Sequence, residues 1–199
     1  MLAHKEGLLL MRALRGVTLI ELMVTLTVLG VLAVLVVPAF GAWIANARMR
    51  TVAESLQNGL RLAQQEAVRR NRQTVFALTN ATPALTAAPA ANGSNWFVRA
   101  LPIVASELVD PSFYVQGGAT TGQSVTINGP AIVCFNSLGR PTANAATGLG
   151  SNCGAPADVN YDITRASADR RLRVQVSFAG RVRMCDPDKA LSTGTPDGC

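Results

Sequence analysis

The sequence predicts an α+β chain: one long N-terminal helix, apolar in its first half and amphipathic in its second, packed on an antiparallel β-sheet head. Three observations predict it. Residues 17–40 are apolar apart from threonine, glycine, Pro38 and a single acid, Glu21. From there to about Arg70, apolar residues recur at steps of three and four. After Asn71 the period shifts to short runs rich in β-branched and aromatic residues, bounded by Gly, Pro and Asn.

The apolar run is 24 residues long, and about 20 suffice to cross a bilayer as a helix. An ordinary secretory signal has an apolar core of about 7–15 residues with the charge before it; this run is longer and holds Glu21. A carboxylate there costs roughly 2.5–3.5 kcal/mol toward the bilayer centre and less near the interface, so a partner for it is expected. Lys5, Arg12 and Arg15 precede the run and favour a cytoplasmic start. Pro38 is expected to kink the helix, since it removes one backbone hydrogen bond and crowds the preceding turn. Beyond it Val52, Leu56, Leu60, Ala63 and Ala67 form the buried stripe, with Arg48, Arg50, Glu54, Arg61 and Glu66 on other faces. Arg69, Arg70 and Arg72 complement the C-terminal dipole.

Candidate strands are Thr74–Leu78, Trp96–Leu101, Phe113–Gln116, Ser124–Asn128, Ala131–Phe135, Tyr161–Thr164, Leu172–Phe178 and Val182–Cys185. The Ala/Pro/Thr/Asn stretch 80–95 reads as a flexible hairpin loop and 141–157 as a second loop. Trp96, Phe97, Phe113 and Phe135 are expected in the core, packing the sheet on the helix.

Arg15-Gly16-Val17-Thr18-Leu19-Ile20-Glu21-Leu22-Met23 closely resembles the class III signal of type IV pilins and type II secretion pseudopilins. The resemblance implies cleavage by a prepilin peptidase between Gly16 and Val17, methylation of the new Val17 amine, and a role for Glu21 in assembly through pairing with an N-terminal amine. It divides the chain into a removed leader (1–16), a transmembrane assembly helix (17–40), its amphipathic continuation (41–72) and a β-rich head (73–199). Met11 would open a complete short basic leader, so either Met1 or Met11 serves as the start. The expected location is the bacterial inner membrane, single-pass, with the head in the periplasm, and then the pilus or pseudopilus.

All four cysteines lie beyond the span. An even number in an extracytoplasmic compartment suggests two disulfides, and four cysteines allow three connectivities. Cys134–Cys153 and Cys185–Cys199 are favoured because each closes a Gly/Pro/Asn/Asp-rich loop with little else to hold it. Zinc is disfavoured: no two cysteines form a CxxC pair, and the single histidine, His4, is in the leader. Neither a metal nor another cofactor is expected. Without a mature histidine, Ser-His-Asp and Cys-His catalysis cannot be built, no phosphate loop is evident, and Lys189 is the single mature lysine. The chain does not read as an enzyme.

The chain carries a formal charge of +6. Removing Lys5, Arg12, Arg15 and Glu6 with the leader leaves fifteen bases minus eleven acids, or +4. Between Arg165 and Arg183, six arginines (165, 170, 171, 173, 181 and 183) face one acid, Asp169, for a local +5. Strand alternation puts Leu172, Val174, Val176 and Phe178 on one face and Arg173, Gln175 and Ser177 on the other. A three-residue turn pairing Phe178 with Val182 and Val176 with Met184 is the expected register, because it buries the apolar set and leaves Arg183 on the polar face near Arg173. An exposed arginine hairpin suits bidentate phosphate contacts.

Ser177-Phe178-Ala179-Gly180-Arg181-Val182-Arg183-Met184-Cys185 resembles the C-terminal Gly-Arg-x-Arg motif of FimT-type minor pilins. Cys134-Phe135-Asn136-Ser137-Leu138-Gly139-Arg140-Pro141 resembles a Phe-Asn-x-x-Gly-Arg segment of the same GspH/FimT family. The resemblance implies a non-enzymatic minor pilin that joins other major and minor pilins in a type IV pilus. It also implies double-stranded DNA binding during natural transformation through Gly180, Arg181 and Arg183, with Arg140, Arg171 and Arg173 as secondary contacts. The alternative is a GspH-type pseudopilin of a type II secretion system with a purely structural role.

Overall fold

The computed structural model describes residues 16–120 and 122–199, without the side chains of residues 35–39. Lys5, Arg12, Arg15, His4 and both candidate start methionines lie outside the described residues, as does the Pro38 side chain. Among the described residues, one α-helix, α1, runs over Leu19–Arg70. The chain forms two compact units, one ending at Phe40 and one spanning Gly41–Cys199.

In the first unit, Thr18 caps α1. Its hydroxyl accepts the Glu21 amide at 3.3 Å and its carbonyl accepts the Leu22 amide at 3.1 Å, the arrangement that a Thr-x-x-Glu sequence favours. Thr25 and Thr27 return their hydroxyls to the Leu22 and Val24 carbonyls at 2.9 and 2.8 Å, so neither needs water. The described apolar side chains of this stretch, among them Leu19, Leu26 and Val34, are exposed. Among the described residues no helix is long and apolar enough to cross a membrane; the side chains of residues 35–39 are not among them.

In the second unit, α1 buries the expected stripe Val52, Leu56, Leu60, Ala63 and Ala67, and with it Ala45, Met49 and Ala53. The helix ends at Asn71, whose φ of 48° lets the Arg72 amide reach the Ala67 carbonyl at 3.1 Å. Among the described residues, nine strands form two antiparallel sheets. The first has the order β3-β2-β1-β5-β6, with β1 Thr74–Thr79, β2 Asn95–Ala100, β3 Tyr114–Ala119, β5 Ile132–Phe135 and β6 Pro141–Thr142. The second has the order β4-β7-β8-β9, with β4 Thr126–Asn128, β7 Val159–Thr164, β8 Leu172–Val176 and β9 Val182–Cys185. One core joins the α1 stripe to Phe76, Trp96, Val98 and Phe135 of the first sheet and to Tyr161, Ile163, Val174 and Val176 of the second. Phe76 stacks on Trp96 and meets Tyr161 edge-on, both at 5.7 Å between ring centroids.

Several expectations are corrected. Phe97 does not pack the sheet on the helix. Strand alternation sends it to the opposite face, where it joins Val75, Ala77, Ile132 and the Cys134–Cys153 disulfide in a second core. Loop 80–95 is tied down: Thr79 Oγ1 donates to Ala88 O and Arg99 Nη1 to Leu85 O, at 2.8 and 2.9 Å. The two-residue strand β6 and two short 3₁₀ helices, Ala105–Leu108 and Pro111–Phe113, carried no pattern that sequence reading could detect. The basic end of α1 is ion-paired as well as dipole-compensating. Arg69 and Arg70 both reach Glu66, at 2.6 and 2.8 Å, while Arg72 reaches Glu107 at 2.8 Å and lies over the Phe113 ring. The Arg69 hydrogen bond holds the Glu66 carboxyl below its ordinary range against the opposing effect of burial.

Tyr161 is fully buried, and its hydroxyl has no hydrogen-bond partner among the described residues; burial pushes the phenol's pKa up. An unsatisfied buried hydroxyl costs about 1–3 kcal/mol. Tyr161→Phe keeps the ring and removes that cost, so chemical denaturation of the variant should show a midpoint raised rather than lowered.

Candidate nucleic-acid interface

The β5–β6 and β8–β9 hairpins close with the same turn. In the first, Asn136 N donates to Arg140 O at 2.9 Å, Gly139 N donates to Asn136 O at 2.8 Å, and Asn136 Oδ1 accepts the Arg140 amide at 3.0 Å. In the second, Ser177 N donates to Arg181 O at 2.9 Å, Gly180 N donates to Ser177 O at 2.8 Å, and Ser177 Oγ accepts the Arg181 amide at 3.0 Å. Gly139 and Gly180 have φ of 73° and 89°, the left-handed position that ends a three-residue hairpin loop.

That glycine requirement sets the register of the arginine hairpin. With Gly180 as the last loop residue, the loop is Phe178-Ala179-Gly180, and Val176 pairs with Val182, Val174 with Met184 and Gln175 with Arg183. The expected pairing of Phe178 with Val182 is therefore displaced. Facing parity survives, so Val182 stays buried and Arg183 stays on the polar face, but β8 ends at Val176 and Phe178 moves to the tip, 57% exposed.

The two turns meet. Gln64 of α1 donates both hydrogens of its amide nitrogen, one to Gly139 O at 2.9 Å and one to Gly180 O at 2.5 Å. A Cβ on Gly180 would stand 2.5 Å from Gly139 O, so the backbones of the turns are already in contact. Val68, Arg69, Leu138 and Ala179 flank an open groove at this junction. Leu138 and Val68 are exposed at 76% and 55%.

The arginines separate by partner. Arg173 makes a two-pronged pair with Asp162 at 2.6 and 2.9 Å, and that hydrogen bond raises its pKa. Arg171 pairs with Asp188, which raises the arginine's pKa and lowers the acid's. Arg165 donates to Gln123 O. Arg183 reaches Gln175 Oε1 at 3.2 Å, Gly198 O at 3.4 Å and Cys199 O at 2.9 Å, so it braces the C-terminal loop that Cys185–Cys199 closes. Arg140 and Arg181 are exposed, and their guanidinium groups have no hydrogen-bond or ion-pair partner among the described residues. Of the six arginines behind the local +5, Arg171 and Arg173 thus spend their forks on acids within the fold. The disulfides are the two that loop composition favoured. Among the described residues, no cluster of His, Cys, Asp and Glu could hold a metal ion.

Sequence reading missed Gln64, which shows only as a polar residue between buried Leu60 and Ala67. Its partners lie 75 and 116 residues away. The matching turns left a signal, an Asn or Ser three residues before each Gly-Arg pair.

A helix that opens on a Thr-x-x-Glu cap and ends packed on two antiparallel sheets is the architecture of a type IV pilin-like subunit. The chain matches the family "Type II transport protein GspH" over residues 52–180 and the "Prokaryotic N-terminal methylation motif" over residues 11–37. Well over half of the chain is covered by the first match, and the chain belongs to the GspH family. Among solved structures it is similar to the type IV minor pilin FimU of Pseudomonas aeruginosa (strain PAO1). The identity is 15% and the TM-score 0.50, over 73% of this chain and 93% of that one. A second crystal form of FimU gives 18% identity and a TM-score of 0.46, over 71% and 95%. At these identities the likeness shows the fold. No curated protein matches the chain. The chain is a pilin or pseudopilin of the kind found in type IV pili and type II secretion.

Replacing Cys185 and Cys199 by serine opens the loop that Arg183 braces. A loop of about 15 residues gives a disulfide worth roughly 3 kcal/mol. Thermal melting should show that loss, and hydrogen exchange should show the largest gain within residues 183–199.

Proposed function

We propose that the chain is a minor pilin of a type IV pilus that also binds double-stranded DNA. In this reading a prepilin peptidase cuts between Gly16 and Val17, the Val17 amine is methylated, and residues 17–40 anchor the subunit in the inner membrane with its head in the periplasm. Other major and minor pilins are its partners in the filament, and its role is structural rather than enzymatic. Glu21 supports assembly. It lies in the first turn of α1, exposed, and its carboxylate has no partner among the described residues, which leaves it for the amine of a neighbouring subunit in a medium where an unpaired charge is costly.

The observation that carries the DNA reading is Arg181, an exposed guanidinium without an acid partner among the described residues, on a hairpin held by its own backbone. Arg183 lies two residues on, in β9, and faces the polar side, opposite Gln175. A phosphate ligand predicts binding that is weak, strongly salt-dependent and indifferent to base sequence. The second reading is a GspH-type pseudopilin of type II secretion, favoured by the engagement of Arg171, Arg173 and Arg183 within the fold.

Anisotropy titration of the chain in uncharged detergent micelles against duplex DNA tests the choice. The expected result is a Kd on the order of 1–100 μM, weakening steeply with salt, and more than tenfold weaker for Arg181→Ala with Arg183→Ala. A folded parent that fails to bind at low salt would move the assignment to the secretion pseudopilin. Separately, Glu21→Ala should leave the melting of the head unchanged yet abolish incorporation into filaments; normal incorporation would remove Glu21 from assembly.

A further inference from the structure

We propose that the two Gly-Arg turns form a single phosphate-binding surface, with Gln64 as the positioning residue that locks Arg140 and Arg181 into it. The inference rests on the DNA-binding reading and extends it to a residue on a different element. Each arginine follows a left-handed glycine, and each arginine amide is tied to the side-chain oxygen that opens its turn. Both main chains are therefore fixed where the guanidinium groups leave them.

The turns belong to different sheets, β5–β6 and β8–β9, so hairpin hydrogen bonding alone does not set their spacing. Gln64 does. One primary amide supplies two donors from a single nitrogen, and both are used, on Gly139 O and Gly180 O. Methionine could fill the same space and make neither bond. Gly180 adds the steric half of the lock: its missing Cβ is what allows Gly139 O to sit where it does. Among the described residues, Arg140 and Arg181 lack the acid partners that occupy Arg171 and Arg173. Two free guanidinium groups on a rigid junction suit two phosphates of one backbone, and rigidity reduces the ordering cost of binding both.

The test is a set of DNA titrations in uncharged micelles on the parent chain, Gln64→Met, Arg140→Ala, Arg181→Ala and the double arginine variant, each at several salt concentrations. Gln64→Met removes no charge, so a purely electrostatic footprint would not notice it. The expected result is binding about three- to tenfold weaker with a salt slope reduced by about one phosphate contact. Arg140→Ala and Arg181→Ala should be coupled in the parent and additive once Gln64→Met is introduced. Hydrogen exchange should show Gly139, Arg140, Gly180 and Arg181 loosening together in Gln64→Met. Parent-like binding by folded Gln64→Met overturns the proposal while leaving the DNA reading intact, provided Arg181→Ala still weakens binding. A parent that binds no DNA overturns both. If Gln64→Met does not fold, the arginine pair decides alone, and additivity of the two alanine substitutions in the parent overturns the shared surface.

Discussion

The close approach of α1 to both sheets is the constraint on which the head depends. The buried face of the helix from Gly41 onward is built largely from small residues and slim aliphatics, and at Gly59 an added Cβ would stand 2.9 Å from the rings of Phe76 and Trp96. The helix backbone therefore rests on the aromatic pair itself, and Trp96 Nε1 completes the contact by donating to Ser55 Oγ at 2.9 Å. Interiors packed to this density do not accommodate an extra methyl group without displacing neighbours. Because one stripe of α1 contacts both sheets, the position of the helix fixes where their edges fall. Gln64, one turn beyond Leu60 on that helix, then finds the two hairpin turns on either side of its amide.

Electrostatics follow from the same frame. Six arginines between residues 165 and 183 would repel one another if left together, and the fold relieves this by distributing acids among them. Asp162 sits opposite Arg173 in the β7–β8 register, and Asp188 is brought to Arg171 by the loop that Cys185–Cys199 closes. A guanidinium already forked onto a carboxylate has little left for a phosphate. Arg140 and Arg181, by contrast, follow hairpin turns, where the backbone is determined locally and the side chain meets solvent.

Much of the architecture was legible in the sequence because its signals are periodic or local. Val52, Leu56, Leu60, Ala63 and Ala67 are a helical stripe whatever the rest of the chain does. The signal around Gly16 and Glu21 is contiguous, and each disulfide closes a short loop. A register chosen to bury Phe178 runs one residue too far along each strand, because the left-handed geometry that Gly180 demands outweighs that burial. The face that Phe97 takes is not legible, because the sequence shows alternation but not the second core on the far side of the sheet. The pairing of Arg173 with Asp162, and the reach of Gln64 to two turns, depend on strand neighbours far apart in sequence, and no local pattern encodes them.

The two hairpin turns show how one local solution can serve two purposes. A left-handed glycine closes a three-residue loop, and the side-chain oxygen that opens it, from Asn136 or Ser177, satisfies the amide of the arginine that follows. That arginine is then the first residue after the loop, with its backbone bonded inward and its side chain in solvent. Such a turn stabilises the hairpin without using the guanidinium, unlike Arg173, whose fork is consumed in holding β7 to β8. Residues that contribute to folding through their main chain leave their side chains available for a ligand. Arg140 and Arg181 are of this kind, and for that reason the phosphate-binding surface proposed above is placed on them rather than on Arg171 and Arg173, whose forks are taken.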